Sequence, residues 1–130
     1  MRTYLALVHK DEDSAWGLSF PDLPGCFAAA ESEGDILRAG AEALELWFED
    51  AEPVTPRGPE AISQEVAQDL AAGAFLIAVP LVQPQSRLKR VNISLDAGTL
   101  EAIDAAAEAL GLTRSGYLAM AALNEIRGGH

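Results

Sequence analysis

Polar and apolar residues alternate along Arg90-Val91-Asn92-Ile93-Ser94-Leu95. That period of two marks a strand with one buried face. Val91, Ile93 and Leu95 are expected to point inward, and Arg90, Asn92 and Ser94 outward. The period then lengthens. Leu100, Ile103, Ala107 and Leu110 recur at helical spacing behind Asp96, whose carboxylate is placed to cap the first turn. Gly111 suits the left-handed residue that ends a helix, with Leu112 folding back on the last turn. Thr113 is then expected to cap a second helix with the apolar face Tyr117, Leu118, Ala121, Ala122 and Ile126. Glycines at positions 98 and 116 weaken both helices near their starts.

Upstream, residues 2–8 and 15–20 read as two strands joined by a polar turn, a hairpin. Pro21-Asp22-Leu23-Pro24-Gly25 must loop, because neither proline can donate to a ladder. Residues 26–31 return as a third strand. Ser32 and Asp35 have capping-box spacing ahead of a helix over 33–50. Its apolar stripe is Leu37, Gly40, Ala41, Leu44, Trp47 and Phe48, and the small pair lets the helix approach a sheet closely. Prolines and glycine at 53–59 break the chain. Ser63 is expected to cap a short helix over 63–72 with Val66 and Leu70 inward, ended by Gly73. The nearly all-apolar run 74–82 predicts a strand buried on both sides, although Pro80 asks for an edge or an end. The order β-β-β-α-α-β makes a small α+β domain, one sheet with helices on one face. The chain is expected to divide into domain 1–82, linker 83–86 and domain 87–130.

One strand and two short helices cannot close a core, and an unpaired strand edge invites another chain. The economical solution is a homodimer in which two copies of the 90–95 strand pair antiparallel, with four helices behind. Arg90, Asn92 and Ser94 then form a double polar row on a two-stranded ribbon. A DNA major groove admits such a ribbon, and Arg and Asn suit the edges of guanine and adenine. The segment Thr113-Arg114-Ser115 offers a helix N-terminus and a cation for a phosphate. Arg87 and Lys89 join this phosphate-facing set, although Lys89 falls on the inward phase, so the ribbon begins at Arg90. These residues resemble a ribbon-helix-helix DNA-binding domain over about a third of the chain. The resemblance implies base contacts from Arg90, Asn92 and Ser94 and a backbone grip at 113–115.

Charge first argues against DNA and then for it. The 130 residues carry a net charge of −11, the wrong sign for a nucleic-acid binder. Residues 1–86, however, hold four Lys/Arg against fifteen Asp/Glu, whereas residues 87–130 hold five of each. Within the neutral part, Arg87, Lys89, Arg90 and Arg114 fall on the proposed DNA face. Asp104, Glu108 and Glu125 are expected on helix faces away from it. An acidic body beside a locally basic foot points to two different partners. No apolar run is long enough to span a membrane, and the start of the chain lacks a signal-peptide layout. One cysteine excludes an internal disulfide. The expectation is a cytoplasmic protein.

The stretch Phe20 through Cys26 (FPDLPGC), followed by Ala43-Leu44-Glu45-Leu46 on the helix and later by AFLIAVPL, resembles the HicB antitoxins of HicAB toxin–antitoxin systems. With the ribbon-helix-helix, the resemblance covers nearly the whole chain. It implies a bifunctional antitoxin. Its N-terminal domain, a trimmed RNase H-like fold, would block a small HicA-type toxin that cleaves mRNA with a histidine. Its C-terminal domain would bind operator DNA and repress its own promoter, as a dimer or a tetramer. An acidic domain complements the basic surface that an RNA-cutting partner needs.

Candidate chemistry is sparse. Asp11-Glu12-Asp13 is the one tight carboxylate cluster. A nuclease would use it for Mg²⁺, but neighbouring turn residues point in different directions and no buried strand carries an acid to join them. The expectation is no metal, no cofactor and no catalysis. Asp11, Glu12, Asp13 and Asp22 are instead candidate toxin contacts. Cys26 and His9 read as strand residues rather than a nucleophile and its base. Trp16, Trp47 and Phe48 read as core or interface anchors, and Glu42, Glu45, Glu49 and Asp50 as an acidic helix face. Two alternatives stay open: a stand-alone ribbon-helix-helix regulator whose N-terminal domain oligomerises or senses a ligand, and a metal-dependent nuclease.

Overall fold

A computed structural model describes residues 2–10, 15–83 and 88–128. The expected turn at 11–14, the linker residues 84–86 and Arg87 lie outside the described residues. The described residues form two compact units, one within 2–83 and one within 88–126.

The first unit is built on a four-stranded antiparallel sheet in the order β3-β2-β1-β4. The strands are β1 (Arg2–Lys10), β2 (Trp16–Ser19), β3 (Phe27–Ala30) and β4 (Phe75–Leu81). The hairpin register sets Val8 opposite Leu18 and Lys10 opposite Trp16. In β1 successive side chains serve opposite faces. Tyr4, Ala6 and Val8 join the larger core with Leu18, Ala30, Val79 and Leu81. Leu5 and Leu7 join a second cluster with Ile62, Val66, Leu70 and Leu76.

Helix α1 (Ile36–Trp47) covers the first face with Ile36, Ala41 and Leu44. Helices α2 (Pro59–Glu65) and α3 (Ala67–Ala71) cover the β1–β4 half of the other. The expected single helical face is therefore corrected: helices lie on both sides. The fully double-covered strand is the internal β1, not β4. β4 lies at the sheet edge, with Phe75 and Ala78 exposed, and Pro80 opposite Thr3. An edge tolerates the missing donor.

Two helix boundaries also differ from expectation. Ser32 donates from Oγ to Asp35 Oδ2 at 2.9 Å but caps no helix; the chain passes through a 3₁₀ turn, Glu33–Asp35, before α1. Helix α2 starts at Pro59 with Gly58 as its extended N-cap, so Ser63 sits inside it and caps nothing. Proline fits the first helical position because that N–H has no helical partner. Gly40 does bring α1 close to the sheet. A Cβ there would lie 3.2 Å from Leu18 Cδ2 and from Val79 Cγ2.

The FPDLPGC stretch is two consecutive tight turns. Leu23 N–H donates to the Phe20 carbonyl (2.9 Å) and Cys26 N–H to the Leu23 carbonyl (3.0 Å). Pro24 followed by Gly25 at φ +85° matches the central pair of a type II turn. The loop returns Phe20, Leu23 and Cys26 to the core, all buried. Trp47 Nε1 closes over it by donating to the Pro24 carbonyl (3.3 Å).

The second unit contains α4 (Ala97–Ala109) and α5 (Arg114–Ile126). Asp96 caps α4 as expected, accepting from Thr99 N–H at 2.9 Å. The helix ends at Gly111 (φ +70°), with Leu112 N–H donating to the Ala107 carbonyl and Gly111 N–H to Glu108. That bond pair is the Schellman arrangement. Thr113 Oγ1 then accepts from Gly116 N–H at 3.0 Å and caps α5.

Candidate functional site

The second unit buries little of its apolar surface alone. Ala107 is its one buried hydrophobic residue among the described residues. Val91 and Ile93 are 76% and 62% exposed, and Leu88, Leu95, Leu110, Leu112, Met120 and Ile126 are also exposed. Residues 88–95 form no backbone ladder within the chain. Arg90, Asn92 and Ser94 are exposed along the same segment.

A cleft gathers several of the sequence-selected residues. Its walls include Lys89, Arg90 and Asn92 from the extended segment and Arg114 and Ser115 from the start of α5. Leu118 and Ala119 line it farther along the helix. The segment expected to read bases and the helix start expected to hold phosphates thus share one concave surface. Among the expected phosphate contacts, Thr113 has its hydroxyl engaged in the α5 cap, and Arg87 falls outside the described residues.

The expected separation of Asp104 from this surface is corrected. Asp104 holds Arg114 by two parallel hydrogen bonds, Nε to Oδ1 at 2.8 Å and Nη2 to Oδ2 at 2.9 Å. The Gly111 reversal puts residues ten apart on facing sides of adjacent helices. Arg114 holds the Asp104 carboxyl below its ordinary pKa, and Asp104 pushes the guanidinium up. Asp96 is likewise held low, first by the Thr99 hydroxyl and then by the Thr99 N–H.

In the first unit, Asp11, Glu12 and Asp13 fall outside the described residues. Asp22 is placed, with its side chain only 5% exposed. Its Oδ1 accepts from Arg57 Nε at 2.5 Å and its Oδ2 from the Arg57 backbone N–H at 2.9 Å. Arg57 also reaches both carboxylate oxygens of Glu65, and these two acids, Glu65 first, raise its pKa further. Asp22 therefore ties the FPDLPGC loop to the 52–58 segment and α2. Nearby, the Tyr4 hydroxyl donates to the Val54 carbonyl. Sequence spacing gave no hint of Arg57, because its acids lie 35 residues before it and eight after.

Cys26 is buried, its Sγ 3.7 Å from the Ala43 carbonyl, and desolvation pushes its thiol up to about 11. A thiol so far from its thiolate form is a poor nucleophile. His9 stands across the hairpin from Gly17, where an added Cβ would come within 2.6 Å of the imidazole. Among the described residues no three His, Cys, Asp or Glu side chains are grouped to hold a metal ion. No helix there is long and apolar enough to cross a membrane.

Comparison with known proteins gives a consistent result. The family described as HicB_like antitoxin of bacterial toxin-antitoxin system matches residues 4–122. The antitoxin HicB3 crystal structure is 25% identical, covers 96% of this chain and 98% of its own, and superposes with a TM-score of 0.52. The Burkholderia pseudomallei antitoxin HicB is 34% identical over the full length of both chains, with a TM-score of 0.49. A UPF0150 protein of Archaeoglobus fulgidus is 35% identical over 46 residues, 35% of this chain and 67% of that protein.

Proposed function

The chain belongs to the HicB-like antitoxin family of bacterial toxin–antitoxin systems, and from that premise we propose that it neutralises a HicA-type, mRNA-cleaving toxin and represses its own operon. The first unit, a trimmed RNase H-like scaffold over residues 1–82, is the toxin-binding part. The second, 87–130, is a ribbon-helix-helix that dimerises through residues 90–95, joined to the first by 83–86. Two such dimers assemble into a tetramer.

The observation that carries the DNA-binding half is the second unit's row of exposed apolar side chains beside its polar row. Val91, Ile93 and Leu95 are exposed within one chain, and a second copy paired across the same segment supplies cover. The pairing directs Arg90, Asn92 and Ser94 together to the opposite face. The toxin-binding half rests on family membership and on charge. Fifteen acids against four bases in residues 1–86 favour a basic, RNA-handling partner.

Two experiments separate the halves. Tagged protein co-expressed with the neighbouring open reading frame is expected to retain a stoichiometric small basic protein that is toxic alone. Absence of such a partner, with duplex binding intact, would leave a plain transcriptional regulator. Arg90→Ala is expected to lower affinity for the operator by ~1–3 kcal/mol while leaving affinity for random duplex nearly unchanged. An unaltered ratio between the two duplexes would take Arg90 off the base edges.

A further inference from the structure

We propose that Asp104 is a charge latch on Arg114, an intramolecular counter-ion that opposes every phosphate approaching the start of α5 and so limits the sequence-independent grip on DNA. The inference deepens the DNA-binding reading and rests on it.

The geometry is specific. Asp104 engages Arg114 side-on, with one carboxylate oxygen on Nε (2.8 Å) and the other on Nη2 (2.9 Å). This is the bidentate fork by which a guanidinium also takes a phosphate. Both side chains are substantially exposed, 55% for Arg114 and 44% for Asp104, so a nucleic-acid backbone has access. Arg114 shares its cleft with Lys89, Arg90 and Ser115, residues that the DNA-binding reading assigns to bases and phosphates.

A phosphate has two ways to meet this arginine, and Asp104 weakens both. It can displace the carboxylate and take the fork, in which case the ion pair must first be broken. It can instead use the three N–H groups that Asp104 leaves unoccupied. The carboxylate then stays well inside the ~10 Å Debye length at 0.1 M salt, and its repulsion offsets much of the attraction. In either mode the wild-type protein releases fewer counter-ions from DNA than its basic residues would suggest. Glu101 and Glu108 lie on the same helix, three residues before and four after, and both are exposed. They extend the acidic row without touching the fork.

The test uses the full-length protein, wild type and Asp104→Asn, on a duplex carrying its own promoter and on a random duplex, at several KCl concentrations. Asparagine keeps the shape and a hydrogen-bond acceptor but removes the charge. Dissociation constants are expected to fall by about 3- to 10-fold on both duplexes alike, since backbone contacts carry no sequence information. The salt dependence should steepen by about one ion per Arg114 engaged. Arg114→Gln should erase the gain, so that the double variant binds like Arg114→Gln alone. Asp104→Ser provides a second, smaller uncharged variant, and a thermal melt of each verifies that the helices remain.

Equal or weaker binding by Asp104→Asn would overturn the latch and make Asp104 a positioning residue or a bystander. A gain that survives Arg114→Gln would overturn it too, since the effect would then be diffuse charge. Wild-type protein that binds neither duplex would remove the DNA-binding reading itself, and the latch with it.

Discussion

Ile93→Asp is expected to abolish duplex binding and to separate the second units from one another. Ile93 is 62% exposed in the single chain, and Val91 and Leu95 flank it on the same phase. Pairing two copies across residues 90–95 would bury all six side chains. Full burial of an aliphatic side chain is worth roughly 1.5–3 kcal/mol, so the seam draws on many such contributions. A carboxylate placed in each copy meets its own twin in a dry interface, where neither charge has a partner, and costs several kcal/mol more. With Ala107 its one buried hydrophobic residue among those described, the second unit has little to keep α4 and α5 packed after separation. The measurements are duplex affinity, expected to fall at least ~100-fold, and helical ellipticity, expected to drop. Asn92→Asp is the matched control. One residue earlier in a period of two, it lies on the opposite face, so it should weaken DNA binding and leave the assembly intact. Retention of wild-type affinity by Ile93→Asp would exclude a ribbon built on this phase.

What was legible in the sequence is mostly what local chemistry decides. Asp96, Gly111, Leu112 and Thr113 each satisfy backbone groups within four or five residues, and the structure places all four in the expected roles. The hairpin and the loop at 21–25 were legible for the same reason: turn residues act on their own neighbours. The close approach at Gly40 followed from the absence of a side chain on an apolar stripe.

The errors share a different cause. Ser63 is a good cap by type, but Gly58 and Pro59 claim the helix start earlier, and proline there begins a helix rather than breaking the chain. The apolar run at 74–82 looked doubly buried because composition cannot tell an internal strand from an edge. Sheet order decides that, and it depends on β1 pairing some seventy residues away. Asp22 reads in the sequence as a candidate toxin contact and Asp104 as an acid on a helix face away from DNA. Each meets an arginine only after a turn or a helix packing brings it near. Of the candidate site, the sequence thus supplied the donors and the alternation, and tertiary structure supplied the counter-ions.

Leu23→Ala is expected to have the largest effect on the first unit, although the residue lies in a loop. Leu23 is fully buried, and its backbone anchors both turns of the FPDLPGC stretch. Truncating a fully buried leucine costs ~2–5 kcal/mol, a large part of a marginal total of ~5–15. For a unit of this size, a melting temperature lower by at least about 10 °C follows. The loss also reaches the surface. Phe20 and Cys26 pack beside Leu23 in the same core, and Trp47 and Arg57 hold the loop from outside through Pro24 and Asp22, so a sagging loop loosens the Arg57 clasp. Capture of the co-expressed toxin should fail on warming well before duplex binding does, because the 90–95 segment and both of its helices lie in the other unit. Leu23→Met conserves volume and should cost less than about 1.5 kcal/mol. If Leu23→Ala melts within about 3 °C of wild type, the loop is not a plug, and the FPDLPGC stretch then owes its place to partner contact instead.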